Sequence, residues 1–129
     1  MASPPRILII DDDPASREIL RLLIHARWPN TRICEVYDAL SLARAMRNPV
    51  RDLCVVDPNT SWTDAKELLE LLCDDDAVGP VVVYSRSDRA EAASNAIRAG
   101  ATNYFVPVPR GGRTSPKRLR FGIPGHAPL

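Results

Sequence analysis

Apolar residues come along this chain in short, nearly unbroken runs, separated by longer stretches in which they recur every three or four positions. The short runs ILII (7–10), LCVVD (53–57) and PVVVYS (80–85) lack the alternation of a half-exposed strand, and predict strands buried on both faces. TRICEVY (31–37) is a weaker strand, and YFVPVP (104–109) is the last one. Between them lie four helical segments. DPASREILRLLIHAR sets Ile19, Leu22, Leu23 and Ala26 on one face, with Pro14 suited to the first turn. DALSLARAMRN (38–48) does the same with Ala39, Leu42, Ala43 and Met46. TDAKELLELLC (63–73) and SDRAEAASNAIRAG (87–100) open with acid pairs at capping-box spacing, Asp64/Glu67 and Asp88/Glu91, and Gly100 stops the second.

Strands alternating with helices predict an α/β fold with a parallel sheet. Pro107 and Pro109 cannot donate to a ladder, but residues two apart send their backbone groups the same way, so the last strand is expected at an edge.

Composition narrows the class. A chain of 129 residues with 45% hydrophobic content suits one soluble domain, and no apolar run reaches the ~20 residues of a membrane helix. The short polar start MASPPR does not read as a signal peptide, and Cys34, Cys54 and Cys73 are odd in number and set in apolar surroundings. They are expected as reduced, buried thiols of a cytoplasmic protein. The net charge of +1 conceals a split: residues 1–91 hold 11 basic and 16 acidic residues, whereas 92–129 hold six basic residues and no acid. The expected organisation is a domain over 5–109 followed by a basic Pro/Gly/Arg-rich tail over 110–129. With only Phe121 as an interleaved aromatic, the tail reads as a solvated linker rather than a nucleic-acid contact.

The chemistry is concentrated where the first strand runs into Asp11, Asp12 and Asp13. Three adjacent carboxylates repel one another, and drawing any of them inside is costly. In a parallel sheet, the end of strand one and the end of strand three at Asp57 share one rim, where open α/β folds bind ligands. Converging carboxylates there suit a hard divalent cation such as Mg²⁺. The plainer alternative is that the acids decorate a loop and a helix N-terminus, as Asp13 before Pro14 is expected to do. Asp74, Asp75 and Asp76 read as a helix end, and His25 and His126 have no catalytic setting.

A hydrophobic strand ending in Asp11-Asp12, a later strand ending in Asp57, VVVYS with Ser85 and then GATNYFV together resemble the receiver domain of two-component response regulators. The resemblance covers residues 5–109, about four-fifths of the chain. It implies a doubly wound, flavodoxin-like, five-stranded parallel sheet of order 2-1-3-4-5. It also implies Asp57 as phosphoacceptor, Mg²⁺ held by Asp11, Asp12, Asp57 and the backbone carbonyl of Asn59, and Ser85 as the hydroxyl that bonds the phosphoryl group. Tyr104 matches the aromatic switch residue, and Gly100-Ala101 the family's turn. The partners implied are a histidine kinase or phosphotransfer protein and a downstream protein. The expected function is that of a stand-alone, non-enzymatic signalling protein.

Three features depart from the family. Its lysine after the fifth strand is matched by Pro107, and no lysine occurs from 67 to 116, which leaves Arg86 as the candidate substitute cation. The loop after Asp57 reads PNTSWTDA, with Pro58 removing an N–H and Trp62 expected as a lid, a partner contact or a half-buried packing residue. A fifth helix is degenerate or missing, so that Leu119, Phe121 and Ile123 or a second copy in a homodimer would cover the gap. These departures favour an alternative, a phosphorylation-independent pseudo-receiver acting as an adaptor. A phosphatase reading of DPNTS fails because Asn59 cannot serve as the general acid.

Overall fold

A computed structural model describes residues 4–48, 51–57, 60–75 and 78–84, together with the backbone of 103–105. Five strands, β1 (Arg6–Ile10), β2 (Arg32–Val36), β3 (Leu53–Val56), β4 (Val81–Tyr84) and β5 (Asn103–Phe105), pair in the order β2-β1-β3-β4-β5. Every pairing is parallel. The described helices are α1 (Pro14–Arg27), α2 (Ala39–Ala45) and α3 (Ala65–Cys73). The expected helix over 87–100, Pro107, Pro109 and the tail lie outside the described residues.

The unbroken apolar runs are explained by helices on both faces of the sheet. Successive side chains of β1 point to opposite sides. Ile7 and Ile9 join Leu53, Val55 and Val82 under Leu20, Ile24 and Trp28 of the α1 segment. Leu8 and Ile10 join Cys54, Val56, Val81 and Val83 under Leu68, Leu69 and Leu72 of α3 and Ala45 of α2. β2 is less buried because it forms one edge of the sheet.

Helix starts follow their acids. The Asp13 carboxylate accepts from the Ala15 N–H, Asp38 and Ser41 form a reciprocal capping box, and the Asp64 carboxylate accepts from the amides of Lys66 and Glu67. The face of α1 differs from the expected one. Ser16, Leu20 and Ile24 are buried, whereas Ile19, Leu22 and Leu23 are 51–60% exposed. Apolar residues occupy two neighbouring stripes of this helix, and spacing alone does not choose between them. The turn from β1, fixed by the Asp13 cap, sets the rotation. On α2 the expected Leu42 and Met46 do pack against the core, while Ala39 and Ala43 face solvent and Ala45 is buried instead.

Cys34, Cys54 and Cys73 are free thiols. Burial pushes the thiol of the fully buried Cys54 far upward and, with the Asp74 charge, raises that of the half-buried Cys73, which favours the protonated form of both. Among the described residues no helix is long and apolar enough to cross a membrane.

Gly79, which leads into β4, has φ +81°. A Cβ there would stand 2.8 Å from the Arg51 carbonyl oxygen and 3.1 Å from the Asp52 carbonyl carbon, both backbone. Gly79→Ala therefore meets left-handed strain and a contact that no rotamer relieves. The expected cost is about 2–3 kcal/mol, read from the urea midpoint of unfolding.

Candidate functional site

Parallel register places the site. Ile10 pairs with Val56, so the residues that follow them, Asp11 and Asp57, leave the sheet side by side at its C-terminal rim. The Asp57 N–H donates to the Ile10 carbonyl at 2.8 Å, and the Asp11 N–H donates to the Val36 carbonyl at 3.0 Å. Each acid is thus anchored by its backbone to the end of the neighbouring strand.

Asp11 is 1% exposed. Its Oδ1 accepts from the Asp13 N–H at 2.8 Å, and its Oδ2 is buried with no hydrogen-bond partner among the described residues. Burial pushes its pKa up to about 6; the Asp13 N–H opposes this, and the charges of Asp57, Asp13 and Asp12 add to it. Asp12 behaves differently. Its Oδ2 accepts from both the N–H and the Oγ–H of Ser61, at 2.9 and 3.1 Å. Asp13 caps α1 and also accepts from the Ser16 hydroxyl at 3.0 Å.

Two residues that sequence reasoning missed complete the rim. Arg17, one turn into α1, donates from Nη1 to the Asp11 backbone carbonyl at 2.8 Å, pairs with Glu35 at 3.3 Å and lies 4.9 Å over the Tyr37 ring. It braces the turn that carries the acids. Ser61 is the second, and only the loop fold brings it to Asp12, 49 positions away. Trp62 packs half-buried against the core on the α2–α3 side. Asn59, Ser85, Arg86, Pro58, Gly100, Ala101 and Pro107 lie outside the described residues, as does the side chain of Tyr104, whose backbone pairs with Val83 in β5.

Among the described residues no three acidic, histidine or cysteine side chains are gathered into a complete metal-binding group, and Asp12 is bonded to Ser61. The donors at the rim nonetheless fit a hard divalent cation. The unpartnered, buried oxygen of Asp11 beside Asp57 is the kind of carboxylate such an ion satisfies, and both are oxygen ligands. Asp11, Asp57 and, once released, Asp12 are the residues that would hold it.

The raised Asp11 pKa gives a prediction with a definite sign. The folded chain holds this proton more tightly than the unfolded chain. Stability contributed by the protonated form is therefore fully present below roughly pH 4, and is lost as pH rises to about 6. In excess EDTA the protein should be more stable at pH 5 than at pH 7.5, by about 1 kcal/mol or less after allowance for solvent at the rim. Asp11→Asn, which keeps the acceptor for the Asp13 N–H, should flatten that difference in urea unfolding.

Comparison with known proteins agrees with this architecture. The sequence profile described as response regulator receiver domain matches residues 7–107. A protein-glutamate methylesterase/protein-glutamine glutaminase of Cereibacter sphaeroides is 30% identical over 102 residues, which are 78% of this chain and 27% of that protein. This chain thus spans about a quarter of the length of that relative. The crystal structure of a LuxR-family two-component response regulator from Aurantimonas sp. SI85-9A1 is 26% identical with a TM-score of 0.71, covering 91% of this chain and 80% of that one. The Mn²⁺-bound form of response regulator Rcp1 shares the fold at 18% identity and a TM-score of 0.70, covering 80% and 81%.

Proposed function

Since this chain belongs to the response regulator receiver domain family of two-component signalling, we propose that it accepts a phosphoryl group on Asp57 in the presence of Mg²⁺. Receiver domains take phosphoryl groups from histidine kinases or phosphotransfer proteins and pass the signal to a downstream partner. The observation that carries the reading here is the buried, unpartnered Asp11 oxygen beside Asp57 at the C-terminal rim of the sheet.

Asp57 is half-buried, at the mouth of the rim, and its backbone is tied to Ile10. One carboxylate oxygen attacks phosphorus in line. The new P–O bond makes an acyl phosphate, and the bond to the donor breaks, leaving with the donor's imidazole or carboxylate. The cation, when bound, neutralises charge on the carboxylates and the transferring oxygens. Asp11 supplies a ligand already stripped of water, and Arg17 fixes the turn that aims it. Ser85 is assigned to bonding the transferred group, Tyr104 to reporting that movement and Arg86 to the place of the missing lysine. The outer stripe of α1, with Ile19, Leu22 and Leu23, is apolar surface available to a protein partner.

Incubating the full chain with acetyl phosphate and MgCl₂ should add the mass of one phosphoryl group, and excess EDTA should prevent it. A chain that gains no mass with Mg²⁺ present defeats the proposal. The second reading, an adaptor that works without phosphorylation, is favoured by the absence of any lysine from 67 to 116. It predicts that same lack of mass gain, with partner affinity unaffected by phosphodonor.

A further inference from the structure

We infer that Ser61 is a latch on Asp12 that competes with the divalent cation, so that metal binding and release of Ser61 are one coupled event. This inference rests on the phosphoacceptor reading above. Both donors of Ser61, its N–H and its hydroxyl, converge on the same oxygen of Asp12, at 2.9 and 3.1 Å. They present the positive ends of two dipoles to a carboxylate that adds its charge to those of Asp11, Asp13 and Asp57. That is the electrostatic task of a cation, which would compete with Ser61 for the same oxygen.

The loop itself is not fully satisfied in this arrangement. Among the described residues, the buried side-chain polar atoms without a hydrogen-bond partner are Asp11 Oδ2, Thr60 Oγ1 and Trp62 Nε1. One sits in the acid cradle, and the other two flank Ser61 in sequence. Orphaned buried donors and acceptors are costly and rare in a settled structure. Two of them flank Ser61, so the contact that holds Asp12 leaves its own neighbours unsatisfied; the inferred open arrangement is one in which Asp12 is free to turn back to Asp11 and Asp57. Ser61 is exposed, so releasing it meets no packing barrier.

A latch that must open before a cation can reach Asp12 has a definite signature. Removing its hydroxyl weakens the metal-free protein and leaves the metal-bound protein unchanged, so affinity for the cation must rise by the same amount. The test is thermal unfolding of the full chain against MgCl₂ concentration, with tryptophan fluorescence as a second readout, for wild type, Ser61→Ala and Ser61→Thr. Ser61→Ala is expected to unfold at a lower temperature in EDTA, to match wild type at saturating MgCl₂, and to bind Mg²⁺ about fivefold more tightly (~1 kcal/mol). Ser61→Thr, which keeps the hydroxyl, should restore wild-type behaviour. Wild-type binding with unchanged or weaker affinity in Ser61→Ala overturns the latch and leaves the phosphoacceptor reading intact. Absence of any Mg²⁺ response in both proteins removes the cation site, and with it both inferences.

Discussion

Asp57→Asn should take up no phosphoryl group from acetyl phosphate under conditions that label the wild type. The carboxamide has no anionic oxygen to attack phosphorus, so the loss falls on the chemical step and no neighbour rescues it. Asp57 is also one of the like charges that raise the Asp11 pKa. Removing it lightens the repulsion at the rim. The Asp57 N–H that donates to Ile10 belongs to the backbone and survives the substitution. Intact mass read beside the urea midpoint separates loss of the nucleophile from a merely unfolded variant. Labelling that persists in Asp57→Asn would transfer the nucleophile to Asp11 or Asp12 and end the assignment.

What the residue pattern reveals, and what it hides, follows from the range of the forces involved. Strand positions were legible because a strand covered by helices on both faces must be apolar at every position, as ILII and LCVV are. The rim was legible because parallel strands all end on the same side, so Asp11 and Asp57 needed only the sheet to meet. Strand order came from family resemblance, as periodicity carries no information on which strand lies beside which. Asp13 and Asp64 could be read as caps because capping is local. The partnership of Asp12 with Ser61 could not be read, since it depends on how two loops 49 positions apart fall against each other. Arg17 was hidden for another reason. On a helix it resembles any solvated arginine, and only its reach back to the Asp11 carbonyl gives it a role.

The most demanding consequence concerns α1, where residue spacing and structure disagree. Leu20→Ala is expected to destabilise the protein by about 2–4 kcal/mol, and Leu22→Ala by no more than about 0.5 kcal/mol. The two leucines are one half-turn apart on the same helix and share its propensity terms, so the comparison isolates burial. Leu20 is 8% exposed and packs with Ile7, Ile9, Val55 and Val82 across the face of the sheet. Its truncation leaves a cavity against strands that cannot shift without breaking their ladders. Leu22 is 60% exposed and has little apolar contact to lose. Equal costs for the two would mean that something covers the outer stripe in solution. A reversed order would mean that the helix is rotated about its axis, with Asp13 no longer its cap and Arg17 no longer able to brace Asp11. Since that brace and that cap hold the acids at the rim, a urea titration of two leucine variants also tests the geometry on which the phosphoacceptor site depends.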